Sequence, residues 1–533
     1  MSDGSKASAC LKEQMDARVK EEEQNAPPAT EKKESELPLD FLKTCLYGNR
    51  IGDANLYAAM FRGRFVFVER WGRWLRWKGN HWGEDINSRH ALAAIERVCE
   101  QYQRLLADAA EDSDIARMVH KRLNVLRDKA GRDNLLDCAA TIDEPLCIEG
   151  DELDKQEYLL ACPNCVVDLR TGESSPGKPD QYILNACPTE WKGLAPSQKF
   201  LNFLSSCFDD DKEMVAYILR LLGYGLLGMR DDHIWVIFHG PRARNGKDTL
   251  MKIMFKVLGP SLAIKIPTAM LLQQTFQRSG SQPEPDIMSL RGAKMAFASE
   301  GEASQKIAMS KLKDLTGGSI ITARGINDKL MTSWEQTHLL FFMTNEIPKM
   351  RSEDDGFWLR LHAVPWPIRF VDDPRDPDER KRDPRMAASL KEEPSGVLAC
   401  LVQGCMDYLA HGLQPPEKVL AHTKEQRDNF DEIGLFLQDA CTLEKHCFAG
   451  AWLTSTAVSD FVAVCNWWLK HTFGNSYDYS AKRITQTLAK KGILTKKSSV
   501  MHYQGVEINA DVMVEYAAAS VEEEDKKSSK RWS

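Results

Sequence analysis

The residues best placed to do chemistry lie in HGPRARNGKDTL, His239 to Leu250. This segment joins a short apolar run, IWVIFH, to a stretch with helical spacing. In that stretch Leu250, Ile253, Met254 and Val257 fall on one face before Gly259 and Pro260 stop it. A strand, a glycine-bearing loop and a helix opening at Gly-Lys form a phosphate-binding arrangement. Backbone N–H groups at the helix start point at the anion, and the helix dipole favours negative charge there. Lys247 would reach the β- and γ-phosphates of a nucleotide, with Gly240, Asn245, Gly246, Asp248 and Thr249 around it. Two details depart from the usual loop: five residues rather than four separate Gly240 from Gly246, and Asp248 stands where a hydroxyl residue is expected. A Mg²⁺ ion would therefore be held by Asp248, directly or through water, or by Thr249.

Three further segments carry groups that suit a nucleotide triphosphatase. KMAFASEGE is an apolar strand ending in acids, where a carboxylate such as Glu300, or Glu302 just beyond it, can orient a metal or activate water. HLLFFMTNEIP ends a second strand at Asn345, whose amide suits a water-orienting role beside the γ-phosphate. The plainer reading of Asn345 is a turn residue. DDGFWLRLHAVPWPIRF places Arg360 shortly before another apolar strand, and an arginine there can stabilise charge on a transferred phosphoryl group across a subunit boundary. Between the second and third elements of this series, LTGGSIITARGINDKLM reads as a hairpin with a basic tip at Arg324 and Lys329. Such a tip suits a phosphate backbone as well as it suits plain solvent.

The elements that must position these groups are legible in outline. IWVIFH, KMAFAS and HLLFFMT read as buried parallel strands of an α/β sheet. Residues 201–229 have helical periodicity and precede a core at 230–372. The N-terminal globular part, 39–200, has a tryptophan-rich hairpin pattern in RWGRWLRWKGNHWGED, which reads as a small aromatic core, and a strand–turn–strand in YLLACPNCVVDLRTGE. Cys162 and Cys165 have C-x-x-C spacing without a second such pair, and read as strand or turn residues rather than zinc ligands. Between 371 and 395 the charged stretch DDPRDPDERKRDPR should be an exposed linker, and helical segments follow, so that 373–430 reads as linker and helix. At 431–516 a helix ending near Gly492, followed by two strands, suits a winged helix, with Lys482, Arg483, Lys490, Lys491, Lys496 and Lys497 as its basic residues. The ends, 1–38 and 517–533, have the composition of disordered tails.

With 533 residues the chain needs several cores, and its apolar content of 43% is that of a globular protein. No apolar run reaches membrane-spanning length and the N-terminus has no secretory pattern, so a cytoplasmic protein with reduced cysteines is expected. The formal charge of −7 argues against a surface coated with DNA and restricts any nucleic-acid contact to a local basic lining.

Taken together, these segments resemble the helicase part of the phage and plasmid primase–helicases, superfamily 3 helicases within the AAA+ ATPases, with the poxvirus primase–helicase as a distant relative. RNGKDT at 244–249 matches the family loop except at Asp248; ASE at 298–300, LTGG with ARG at 315–325, and the TNE-x-P element at 344–348 also match. Ser319 stands where the family has Asp, and Cys165 where it has Gly. The resemblance implies a fold with an AAA+ P-loop ATPase core, an N-terminal α+β helicase-associated domain and a C-terminal winged-helix-like domain. It implies a homo-hexameric ring that uses ATP and Mg²⁺ to translocate 3′ to 5′ on single-stranded DNA and unwind forked duplex. In that picture Lys247, Glu300 and Asn345 serve the subunit's own nucleotide, Arg360 acts on the neighbour's, and Arg324 and Lys329 grip DNA. A primase or polymerase would be a separate partner, since the region before the helicase-associated part is too short for a polymerising domain. An initiator or loader, or a weakly catalytic scaffold, is the alternative that Asp248 keeps open.

Overall fold

A computed structural model describes residues 37–107, 113–228, 230–273, 283–299, 306–326, 331–444, 452–473 and 478–531. Residues 1–36 of the expected N-terminal tail, together with Glu300, Glu302 and Lys329, lie outside the described residues.

The apolar runs become the strands of one parallel sheet: β1 (Trp235–His239), β2 (Ala263–Lys265), β3 (Met295–Ser299), β4 (Leu339–Thr344) and β5 (Leu361–Pro365). Their spatial order is β5-β1-β4-β3-β2. Every neighbouring pair is parallel, with His239 level with Thr344 on one side and Pro365 on the other. Strands covered on both faces can be apolar at every position, and all six residues of β4 are buried. One face of the sheet packs into a core with Leu250, Ile253, Met254 and Val257, and the other into a core with Leu312, Leu315 and Trp358.

Six helices matter for the site: α1 (Lys212–Tyr224), α2 (Lys247–Leu262), α3 (Met309–Thr316), α4 (Pro394–His411), α5 (Glu417–Asn429) and α6 (Ala481–Lys490). Asp211 caps α1 by accepting from the amides of Glu213 and Met214. Two glycines let α1 and α4 cross closely: a Cβ at Gly223 would sit 2.1 Å from Cys405 N, and one at Gly404 would sit 2.1 Å from the Leu219 carbonyl. The non-helical backbone of Gly259, at φ 73°, ends the regular part of α2 where Gly-Pro was expected to stop it. α5 lies along β5, the edge of the sheet, and Thr423 Oγ1 accepts from the Ala363 amide at 3.0 Å.

The hairpin expected at 315–331 is present, with Ile320–Ala323 pairing antiparallel to Thr332–Glu335. In the N-terminal part Arg73–Trp77 pairs with Trp82–Glu84, burying Trp74 and Trp82, and Leu159–Ala161 pairs with Val166–Asp168 around the Cys162–Cys165 turn. Both cysteines are free thiols; burial pushes the Cys165 thiol up, and Cys162 is hydrogen-bonded to Cys187.

Two expectations need correction. The charged stretch at 372–385 is more than a linker: Glu379–Lys381 folds back beside Arg369–Val371 as a parallel pair, and the half-turn between them is held by Glu379, which accepts from the Arg375 and Asp376 amides. The C-terminal segment expected to be disordered from 517 continues a helix, Ala510–Arg531. Alanine, glutamate and lysine dominate it, and their helix propensity outweighs the lack of an apolar stripe. Among the described residues no helix is long and apolar enough to cross a membrane.

Candidate functional site

The site is built where β1 and β4 end. β1 delivers the chain to His239, whose carbonyl accepts from the Trp366 amide at 2.7 Å. The loop 240–246 then turns back, with Arg244 at φ 66° and Gly246 at φ 94°, left-handed backbone that lets α2 begin at Lys247. Both glycines sit where a side chain has no room. A Cβ on Gly240 would lie 1.9 Å from Asn245 Nδ2 and 3.1 Å from Lys247 Nζ, and one on Gly246 would lie 2.8 Å from Cys207 Sγ. Asn245 is buried and donates to the Arg242 carbonyl at 3.0 Å, cross-bracing the loop from within.

Lys247 is 5% exposed. Its Nζ donates to the Thr344 carbonyl at 2.9 Å, to Asn345 Oδ1 at 3.0 Å and to the Gly240 carbonyl at 3.3 Å. Lys247 and Asn345, separated by 98 residues in sequence, are thus in direct contact. Burial pushes the Lys247 ammonium down to about 8, and the charge of Asp248 only partly restores it. Among the described residues its hydrogen-bond partners are neutral oxygens, and a buried cation so held is a site prepared for an anion. Asp248 is exposed and Thr249 half-buried on the first turn of α2. The donors and the steric cradle therefore fit a phosphate chain, and the hydroxyl and carboxylate at the helix start fit a hard cation beside it.

Arg360 stands elsewhere. Its carbonyl accepts from the amide of Trp235, the first residue of β1, so it lies at the opposite end of the sheet from Lys247. Its guanidinium is half-buried and donates to the Lys313 carbonyl of α3 at 3.2 Å. Within one chain it does not meet the phosphate loop. Arg324 is at the end of the first hairpin strand, and its carbonyl accepts from the Glu284 amide. Ser319 is exposed and donates to the Asp314 carbonyl at 3.1 Å.

The surroundings of the loop add residues that sequence reasoning passed over. Arg242 pairs with Asp378 at 3.0 Å and with Asp376 at 3.8 Å, and the Arg244 carbonyl accepts from the Phe370 amide, so the charged stretch 372–385 props the phosphate loop. Its charges resemble those of a solvated linker, so the sequence carried no signal for this role. His239 is the second omission: a polar ring ending an apolar strand just before Gly240. Burial, then the charges of His422 and Lys247, push it down to about 4, so it stays neutral beside the buried ammonium. His422 had no sequence signal, since it reaches His239 from 183 residues away.

Residues 54–209 match the family model described as D5 N terminal like. "Putative helicase L207/L206" of Acanthamoeba polyphaga mimivirus is 27% identical over 69% of this chain and 40% of its own length. "Putative primase C962R" of African swine fever virus (isolate Warthog) is 28% identical over 46% of this chain and 26% of its own. The chain is related to viral primases and helicases. "Putative helicase 184R" of Invertebrate iridescent virus 6 extends the pattern, at 26% identity over 55% of this chain and 29% of its own. The chain spans 40% or less of the length of these curated relatives. Among solved structures, the apo C terminal region of NrS-1 aligns at 13% identity over 86% of this chain and 99% of that chain, with a TM-score of 0.45.

Proposed function

We propose that this chain is an ATP-driven DNA helicase of the superfamily 3 type, working in the replication of a mobile genetic element or virus. The observation that carries the reading is Lys247: a buried ammonium at a helix start, held among the described residues by Gly240, Thr344 and Asn345 oxygens where two parallel strands end. In an open α/β sheet ligands bind at the carboxyl ends of the strands, where the order reverses, and here β1 lies between β4 and β5. That order supports an AAA+ core, and the helix–helix–hairpin order of 458–508 supports a winged-helix-like domain behind it. Bound ATP with Mg²⁺ would supply the phosphoanhydride whose hydrolysis drives the motor. Lys247, Asn245 and the amides after Gly246 bind the phosphates, and Asp248 or Thr249, with Glu300, holds the metal. Asn345 changes partner from Lys247 to the γ-phosphate side.

Arg360 completes the site from a neighbouring subunit in a closed ring, six chains in this reading; its place at the far end of the sheet from Lys247 supports a role across a subunit boundary rather than within one chain. Arg324, at the end of the first hairpin strand, and Lys329 contact single-stranded DNA inside that ring, so the net negative charge of the chain is no obstacle. A primase or polymerase acts as a partner or as another part of a longer protein. The test is ATP hydrolysis by the purified protein with and without single-stranded DNA, together with its mass in solution. DNA-stimulated turnover by an assembly near six chains is expected. A monomer that binds ATP without turnover would move the assignment to the scaffold or loader reading and point to Asp248.

A further inference from the structure

β1 ends in an imidazole that is not left to solvent. His239 Nδ1 lies 3.0 Å from His422 Nε2, and the two rings are stacked with centroids 5.2 Å apart and planes 12° apart. On its other side His422 Nδ1 meets Glu425 Oε2 at 3.1 Å, one turn along α5. His239 lies level with Thr344 of β4, the residue before Asn345, whose Oδ1 accepts a hydrogen bond from Lys247 Nζ. The contacts Glu425–His422–His239 thus run from a helix outside the sheet to the strand end beside Asn345, the partner of the ammonium in the loop. The helix carrying it is fixed independently, by Thr423 on the Ala363 amide of β5 and by Lys418 paired with Asp211. His422 therefore has a defined place over His239 before any ligand is present.

Neither histidine has a packing reason to be polar. A strand end beside the apolar side chains of β4 and β5 would accept a phenylalanine or leucine at 239, and a half-buried helix position would accept many residues at 422. What the pair supplies is direction: a hydrogen bond fixes the ring of His239, and with it the strand end paired with Thr344 beside Asn345, to a fraction of the freedom that packing alone allows. Catalytic constellations need that definition from groups that do not touch the substrate.

We propose that His422 is a positioning residue for the nucleotide site, acting through His239 to hold Asn345 against Lys247. This rests on the ATPase reading given above. The bond and the stacking separate cleanly by substitution. His422→Phe keeps the stacked ring and removes the bond, whereas His422→Gln places an amide nitrogen near the former Nε2 and removes the ring. Two readouts are taken on the wild type and both variants. The first is amide hydrogen exchange without nucleotide. His422→Phe should speed exchange in 240–246 and 344–346 while leaving β3 and the thermal midpoint unchanged, and His422→Gln should restore protection. The second is ATP turnover against the affinity of a fluorescent ATP analogue. His422→Phe should lower kcat roughly tenfold, the worth of one hydrogen bond, with analogue affinity within about twofold of wild type. Unchanged exchange and turnover in His422→Phe, or a His422→Gln protein as impaired as His422→Phe, would overturn the positioning role. A wild type without turnover would overturn the ATPase reading instead, and the exchange pattern, read without nucleotide, still decides the role of His422.

Discussion

On the proposed ATPase reading, the buried ammonium of Lys247 makes ATP affinity depend on pH. Its three oxygen partners are neutral and it is 5% exposed, so burial holds its pKa near about 8 instead of 10.5 in the nucleotide-free protein. The phosphate chain of ATP is attracted only to the protonated form, and its charge returns the ammonium toward its ordinary value. A group with a depressed pKa in the free protein and a restored one in the complex takes up a proton on binding. Affinity is therefore full below about pH 8 and falls above it, by about a factor of ten per pH unit up to the pKa in the complex. At pH 8 roughly half a proton should be taken up per ATP bound, and between pH 7 and pH 9 the dissociation constant should rise about tenfold. His239, pushed down to about 4, contributes nothing in this window. Calorimetric titration with Mg²⁺–ATP in buffers of different ionisation enthalpy measures the proton uptake directly. Lys247→Arg is the control, because a guanidinium stays charged throughout. Equal proton uptake in wild type and Lys247→Arg, or none in the wild type between pH 7.5 and 9.5, would show that the reasoning from burial is wrong. Without nucleotide the sign is opposite: the unfolded chain holds the proton more tightly, so this residue's penalty to folding is complete below about pH 8 and is relieved as pH rises toward 10.5.

Other perturbations follow from the same geometry. Gly246→Ala forces a Cβ to 2.8 Å from Cys207 Sγ on left-handed backbone, and should cost about 1–3 kcal/mol in chemical unfolding while removing nucleotide binding; a stable, ATP-binding variant would mean the loop relaxes freely. Arg360→Ala mixed with Lys247→Ala should recover turnover that neither has alone, and no recovery in demonstrably mixed assemblies would count against a shared site. In the N-terminal part, Asp53 is 1% exposed and accepts from Tyr102 and Arg122. Asp53→Asn should cost about 3–5 kcal/mol in urea, because the Arg122 charge stays behind, and a cost below about 1 kcal/mol would show that water reaches it. Glu353→Ala removes the carboxylate that Arg483 of α6 engages at 3.0 Å, and should steepen the salt dependence of duplex binding by about one phosphate contact, read by fluorescence anisotropy. An unchanged slope would mean α6 does not face nucleic acid.

What could be read from the sequence was what periodicity and local chemistry encode. IWVIFH, KMAFAS and HLLFFMT announced strands because a parallel sheet covered on both faces asks for unbroken apolar runs. The start of α2 was legible from Gly246-Lys247 and its end from Gly259-Pro260. β2 was not, because its three residues, Ala-Ile-Lys, sit on the sheet edge and carry no pattern. Strand order was equally hidden: nothing in β4 says that it inserts between β1 and β3 and so brings Asn345 to Lys247. The stretch 372–385 looked like a linker because its charges resemble those of solvated chain. Only the positions of Arg242 and Arg369 show that Asp378 and Glu379 have partners. His422 lay furthest from reach, since a histidine among Ala-His-Thr-Lys on an exposed helix is indistinguishable from surface until the fold sets it against β1.

α5 has thirteen residues and so is about 20 Å long. Its His422 bears on the end of β1 that leads into the phosphate loop. One and a half turns later Arg427 Nε donates to the Ser352 carbonyl at 3.0 Å, and the same guanidinium pairs with Asp355, in the short segment that leads to Arg360. His422 and Arg427 are five residues apart, about 7.5 Å along the axis, and a helix is stiff over such a distance, so neither contact can be displaced independently of the other. In the proposed ring, the part that bears on a subunit's own nucleotide and the end that aims its arginine at the next subunit would belong to a single lever. Tilting it at one end to accommodate phosphate would reset the reach of the arginine at the other. Order of firing around the ring would then need no separate messenger, because each chain reports its own occupancy through the angle of one rod.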